Sequence, residues 1–200
     1  RIKFRILKRF VEFAYKKNFK KAANVAVLNA MDASYLTKKS ISSYEKIHIL
    51  PGTGLNLKKY NYELFEKNKN EKYIDFIGRI LPDKGFHEFL YSRKVLIKKY
   101  PELAKKFKYR VIAPNRQIMK YDDNQLKNLF KEGIIFCPYK KDTNAYYRET
   151  HILVHPTSYG EGLSMVILEA SYLGIKIITS KNKGTEEILK YDYKYFLRDI

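Results

Sequence analysis

Residues 151–170 read His151-Ile-Leu-Val-His155-Pro-Thr-Ser-Tyr-Gly160-Glu-Gly-Leu-Ser-Met165-Val-Ile-Leu-Glu-Ala170. The pattern predicts a strand over 152–155, a loop, and a helix over 163–173 with Gly174 at the left-handed position past its end. The strand is apolar without alternation, which suits a parallel sheet covered on both faces. In such a sheet the loop leaving a strand's carboxyl end is where ligands bind. The new helix turns free N–H groups and a positive dipole end toward that loop. Gly160 and Gly162 permit close backbone approach. In physical terms this is a phosphate or diphosphate site. Glu161 stands at its mouth, and Glu169 follows about two helical turns on. Carboxylates so spaced can accept hydroxyls from two parts of one elongated ligand. The same spacing is met by a Glu161 favoured only by the dipole and a Glu169 that is merely solvated.

Working back along the chain, Phe76-Ile-Gly-Arg79-Ile-Leu-Pro-Asp-Lys84-Gly-Phe86 repeats the grammar of strand end, tight loop and helix start. Arg79 offers a planar fork and Lys84 a compact charge for phosphate oxygens. Alone, the segment reads equally as a surface loop of a lysine-rich chain. Around both segments, strands at 73–78, 109–113, 134–137, 152–155 and 175–179 alternate with helices at 86–100, 124–131, 144–148, 163–173 and 185–189. This is the order of an α/β, Rossmann-like parallel sheet with helices on both faces. Upstream the pattern predicts a basic amphipathic helix over 1–22, a short strand over 24–29, a helix over 30–40 capped by Asp32 or Ser34, and a strand over 47–50. Pro51-Gly-Thr-Gly54 breaks that strand, and 55–71 is a polar, Lys- and Asn-rich connector.

Composition bounds the answer. The chain has 200 residues, is 45% hydrophobic and 15% aromatic, and is therefore globular. Its 40 Lys and Arg against 21 Asp and Glu give a net charge of +19, with +11 in residues 1–70 and +8 in 71–200. Such a field attracts polyanions, whether phosphorylated substrates, anionic lipid or nucleic acid. No nucleic-acid-binding motif accompanies it, so nucleic acid is not an expected partner. The helix over 1–22 fits either an anionic membrane surface or ordinary packing with a solvated basic face. No apolar run is long enough to span a bilayer. One cysteine, Cys137, excludes an internal disulfide and reads as a small buried filler. No His, Asp or Glu cluster has metal-ligand spacing. His155 and His151 read as a structural and a capping or solvated residue.

Taken together, the two segments resemble the C-terminal donor-binding domain of family-4 retaining glycosyltransferases of the GT-B fold. The matching marks are Gly78-Arg79, Lys84-Gly85, Pro156-Thr157-Ser158, Glu161-Gly162-Leu163, Glu169-Ala170, Gly174 and Gly184, and the likeness covers roughly 45–198. Residues 24–54 resemble the end of the partner N-terminal domain and the crossing between domains. Asn56 replaces the family's usual Asp, Tyr60 its Phe, and Ser164 stands where Pro is frequent. The Gly-Thr-Gly form of the crossing resembles enzymes that build bacterial surface polysaccharides.

The resemblance implies a boundary scheme of 1–54 for the N-terminal domain's end and crossing, 55–71 for a linker, and 72–200 for a nucleotide-sugar-binding domain. It implies that Arg79 and Lys84 grip the donor diphosphate and stabilise the leaving charge. Glu161 would contact the transferred sugar and Glu169 the ribose hydroxyls. Backbone amides of Gly162, Leu163 and Ser164 would approach diphosphate and sugar, and Tyr139 would lie near the base. No metal is implied. The donor is expected to be a nucleotide diphosphate sugar, UDP-linked by analogy, the acceptor a glycan or a lipid-linked molecule, and the location the cytoplasm, either free or at the inner face of the cytoplasmic membrane. A chain that opens on Arg1 and stops at Ile200 reads as part of a longer enzyme, so donor recognition is expected with little or no transfer by this chain alone.

Overall fold

The computed structural model describes residues 2–50, 54–60, 71–118, 120, 122–140 and 142–189. In chain order the elements are α1 Ile2–Lys21, β1 Val25–Val27, α2 Ala30–Lys38, β2 Ile47–Ile49, β3 Tyr73–Ile77, α3 Phe86–Lys99, α4 Pro101–Ala104, β4 Lys108–Ala113, α5 Asn115–Ile118, α6 Asp123–Lys131, β5 Ile134–Pro138, α7 Asn144–Tyr147, β6 Thr150–His155, α8 Met165–Tyr172, β7 Lys176–Thr179 and α9 Lys183–Leu189. Short 3-10 turns at Tyr44–Lys46 and Pro82–Lys84 lead into β2 and α3. β1 and β2 pair in parallel, and the remaining strands form a five-stranded sheet in the order β5-β4-β3-β6-β7. Every pairing in that sheet is parallel, as the unalternating apolar strands require.

The strand order reverses between β3 and β6. A crevice therefore opens beyond their carboxyl ends, and the loops leaving these two strands are the two singled out in the sequence. Side chains alternate across the sheet with both faces buried. On one face Ile74, Phe76, Tyr109 and Val111 pack against Phe86 and Phe89 of α3, with the Phe89 and Tyr109 rings 5.1 Å apart. On the other, Ile77, Ile112, Leu153 and Ile177 pack against Ile167, Ala170 and Leu173 of α8 and its end. Each Val, Leu, Ile or Phe among them contributes about 1.5–3 kcal/mol when fully buried. Tyr60 joins this second cluster, and Leu55 packs against it.

One ion pair is built into the second face. Asp75 and Arg110 are register partners on β3 and β4. The guanidinium donates from Nε to Oδ1 at 3.0 Å and from Nη2 to Oδ2 at 2.8 Å. Thr150 of β6 donates to Asp75 Oδ2 at 2.5 Å, so three neighbouring strands share one carboxylate. Arg110 also pairs with Glu149 and stacks over Tyr73. Burial works against charge on both partners: on Asp75 it prevails over the Arg110 contacts and raises the carboxyl pKa, whereas the contacts with Asp75 and Glu149 raise that of the guanidinium.

Several local expectations need correction. The N-cap of α2 is Asn29, not Asp32 or Ser34: its side-chain Oδ1 accepts from Asp32 N at 2.8 Å. Pro101 does more than end α3, because its fixed φ also starts α4. α5 follows β4 without a sequence signal. α8 starts at Met165, so Glu169 lies one turn into the helix rather than two, and Glu161 and Gly162 belong to the loop. His151 lies within β6 and its Nδ1 sits 2.9 Å from the Glu149 carbonyl oxygen. Gly174 has φ 64°, the left-handed conformation predicted for it. The basic face of α1 is solvated, and so is its apolar side: Phe4, Ile6, Leu7, Phe10 and Phe13 are all exposed. Among the described residues no helix is long and apolar enough to cross a membrane. Pro51, Gly52 and Thr53 of the crossing lie outside the described residues.

Candidate active site

The loops after β3 and β6 are sewn together by one carbonyl. Asp83 O accepts from Ser158 N at 3.0 Å, Tyr159 N at 2.9 Å and Thr157 Oγ1 at 3.1 Å. Gly85 makes the approach possible. Its φ is 75°, and a Cβ there would stand 2.1 Å from the Pro156 carbonyl oxygen. On the far side, a Cβ at Gly184 would stand 2.7 Å from the Glu161 carbonyl oxygen, so the start of α9 presses directly on the loop. The Lys-Gly and later Gly of the sequence pattern thus have steric reasons.

Between these loops lies an open cleft of about 340 Å³, whose lining includes Arg79, Lys84, Tyr139, His155, Glu161 and Ser164. Arg79 is exposed, whereas Lys84 is 7% exposed. The Lys84 ammonium pairs with Glu161 and lies 4.4 Å from the centre of the Tyr159 ring. Burial pushes its pKa down, and the neighbouring Arg79 charge adds to this. Glu161 supplies the counter-charge. The Arg79 guanidinium also lies over Tyr159, 6.0 Å from the ring centre. Two cations, one exposed and one buried, therefore share a small space at the mouth of a parallel sheet. That arrangement suits a multiply charged anion such as a diphosphate.

Beneath them His155 is 3% exposed, and burial, with the Lys84 charge second, lowers its pKa to about 4. Its Nε2 lies 3.3 Å from Ser164 Oγ and 3.9 Å from Glu161 Oε2. Among the described residues, His155 Nδ1 and Glu161 Oε2 are buried without a hydrogen-bond partner. Glu132 Oε2 and Asn144 Oδ1, outside the cleft, share this state; a buried polar atom without a partner calls for an explanation, and at a cleft a ligand supplies one. Leu163, Met165 and Val166 complete this wall.

Of the residues read from the sequence, Arg79, Lys84, Tyr139, Glu161, Leu163 and Ser164 line the cleft. Gly162 flanks it, with its carbonyl held by Asn29 Nδ2 at 2.9 Å. Glu169 is not in that lining. It lies along α8, where its Oε1 and Oε2 accept from Tyr60 at 2.6 Å and Tyr147 at 2.7 Å. Its charge reaches Tyr139, whose pKa is raised by burial first and Glu169 second. Cys137 is half-buried, and burial raises its thiol pKa, as suits a filler. Sequence reasoning gave no site role to His155, Tyr159, Asn29 or Tyr147. The position of His155 at the carboxyl end of a strand beside the reversal was its only local signal.

The family model for "Glycosyl transferases group 1" matches residues 62–198. The chain belongs to the group 1 glycosyltransferases. The capsular polysaccharide biosynthesis glycosyltransferase CapM of Staphylococcus aureus is 27% identical over 124 residues, covering 61% of this chain and 31% of CapM. The N,N'-diacetylbacillosaminyl-diphospho-undecaprenol alpha-1,3-N-acetylgalactosaminyltransferase of Campylobacter jejuni is 26% identical over 190 residues, covering 90% of this chain and 48% of that enzyme. The chain thus spans half or less of the length of these relatives. In fold it is similar to HepE of Anabaena, solved in complex with UDP and glucose, with a TM-score of 0.63 at 17% identity over 85% of this chain and 47% of HepE. The five-stranded parallel sheet corresponds to the C-terminal half of a GT-B glycosyltransferase.

Proposed function

We propose that this chain carries the donor site of a retaining glycosyltransferase that takes a sugar from a UDP-sugar and passes it to a glycan or lipid-linked acceptor in bacterial surface polysaccharide biosynthesis. The observation that carries the reading is the meeting of Arg79, Lys84, Glu161 and Ser164, from two separate loops, in one cleft where the strand order reverses. The nature of the relatives supports the acceptor class: one is named for a capsule and one for a diphospho-undecaprenol substrate. UDP is favoured because it is the nucleotide in the HepE complex.

In this reading Arg79 and Lys84 bind the diphosphate. As the bond between the sugar's anomeric carbon and the β-phosphate oxygen breaks, its electron pair stays on the diphosphate, and the two cations stabilise that charge. Glu161 receives hydroxyls of the transferred sugar, and the amides of Gly162, Leu163 and Ser164 approach its phosphate end. Glu169 takes the ribose, and Tyr139 packs beside the base. Lys84 would exchange part of its contact with Glu161 for the phosphate, freeing Glu161 for the sugar. Residues 72–200 form the donor domain, 55–71 the connector, and 1–54 the end of an acceptor-side domain. Transfer itself needs the counterpart of the remaining length of the relatives, so this chain binds donor and transfers little.

The test is calorimetric titration with UDP, GDP and ADP at two salt concentrations. Arg79→Ala and Lys84→Met should each weaken UDP binding by about 10- to 100-fold, the scale of a lost charge-assisted contact. Equal weak binding of all three nucleotides, unchanged in both variants and abolished by salt, would show only a lysine-rich surface and sink the reading.

A further inference from the structure

Glu169 is held in a way that the donor reading does not by itself require. Each of its carboxylate oxygens accepts one phenol, Tyr60 at 2.6 Å and Tyr147 at 2.7 Å. The two tyrosines come from distant parts of the chain, 109 and 22 residues from Glu169. Tyr147 is 0% exposed and Tyr60 3%, so neither ring is free to turn away. Both phenols have raised pKa values, through burial first and then the adjoining carboxylate, and so remain donors. The backbone that carries Tyr60 is itself pinned: Asn144 Nδ2 donates to the Lys59 carbonyl oxygen at 2.6 Å, and Lys59 Nζ lies 3.3 Å from the Tyr60 hydroxyl.

A carboxylate has about four lone-pair positions, two on each oxygen. Two phenols, one per oxygen, fix the plane and rotamer of the group and leave one position on each oxygen. Glu169 remains partly exposed beside Tyr139, which lines the cleft. We infer that Tyr60 and Tyr147 are positioning residues that orient the Glu169 carboxylate to accept both hydroxyls of a ribose, and that Tyr60 thereby couples nucleotide binding to the connecting segment. The pair replaces rotamer freedom that a lone glutamate would lose on binding, which is preorganisation. This rests on the assignment of Glu169 to the ribose.

The two ideas separate in one experiment. The whole chain and its Glu169→Ala, Tyr60→Phe and Tyr147→Phe variants are titrated with UDP and with 2′,3′-dideoxy-UDP. Each Phe keeps the buried ring and removes only the hydroxyl. The unaltered chain should prefer UDP by about tenfold or more, and Glu169→Ala should reduce that preference to about one. Each Tyr→Phe variant should lower UDP affinity about three- to tenfold while leaving the dideoxy compound within about twofold. A merely structural loss would weaken both ligands alike and overturn the inference. So would an unchanged or higher UDP affinity, the latter meaning that the phenols compete with the diol. If Glu169→Ala erases the preference and the tyrosine variants leave it at its full size, the ribose assignment stands and the positioning role falls. If the unaltered chain shows no preference, or binds no UDP, the ribose assignment falls and this inference with it.

Discussion

His155 shows how much one buried side chain can impose on the solution behaviour of the chain. It is enclosed under the Lys84 and Glu161 pair, and its pKa of about 4 lies below the ordinary 6.5. The folded state therefore prefers the neutral ring, while the unfolded state takes up a proton near pH 6.5. The contribution to stability is complete above pH 6.5 and is lost as pH falls toward 4, where protonation of the unfolded chain draws the equilibrium away from the fold. A depression of this size corresponds to about 3 kcal/mol over that window. Urea unfolding of the unaltered chain and of His155→Gln, measured at pH 7 and pH 4.5, checks it. The difference between the two proteins should shrink or reverse on acidification, because the glutamine cannot titrate. A constant difference would mean that the ring is solvated or already charged.

At the level of the elements, the loop after β3 depends on Gly85. Gly85→Ala forces a side chain into left-handed backbone at φ 75° and into the Pro156 carbonyl oxygen 2.1 Å away. Either the turn Pro82–Lys84 retreats or the loop after β6 moves, and both carry cleft residues. The expected cost exceeds the roughly 1 kcal/mol of a left-handed alanine, and UDP affinity should fall as well; thermal unfolding and nucleotide titration together would detect both. Unchanged stability would mean that the two loops are less tightly sewn than the Asp83 contacts indicate. The alternation of strands and helices was legible in the sequence because each strand is a short apolar run and each loop carries Gly, Pro or a capping residue. The cleft was legible because its groups follow strand ends directly. What was not legible is what local pattern cannot encode. Pro101 both stops one helix and starts another. Asn29 caps α2 one residue before the first turn that periodicity suggested. Tyr60 meets Glu169 across 109 residues, in a segment whose polar composition reads as connector. The apolar side of α1 reads as a face for packing or for an anionic membrane surface, and among the described residues little covers it; contacts such as the hydrogen bond of Tyr35 to Glu12 fall on its other edge.

For the molecule as a whole, the two-stranded unit and the five-stranded sheet meet at a polar seam whose members differ greatly in worth. Asn29 is 0% exposed, and its Nδ2 donates both to the Gly162 carbonyl oxygen at 2.9 Å and to Asp32 Oδ2 at 2.8 Å. Around it, Lys183 pairs with Asp32 at 2.5 Å and Ala30 N donates to Glu187 Oε2 at 3.2 Å. The Lys183 and Asp32 side chains are 27% and 34% exposed, so solvent screens them and their pairing is worth at most about 1 kcal/mol. Asn29 is different, because removing its buried amide takes the partner from the Gly162 carbonyl and from the Asp32 N–H in the first turn of α2. Asn29→Ala should cost about 2–3 kcal/mol, whereas Lys183→Met should cost less than about 1 kcal/mol. The two losses also differ in reach. Gly162 follows Glu161 directly, so freeing its carbonyl loosens the loop that carries the cleft's carboxylate, and hydrogen exchange of the amides of Leu163 and Ser164 should quicken in Asn29→Ala but not in Lys183→Met. Equal exchange in the two variants would mean that the seam holds the units together without shaping the cleft. Faster exchange in Asn29→Ala alone would mean that a residue of the two-stranded unit, 133 positions from Gly162, sets the geometry of the cleft loop.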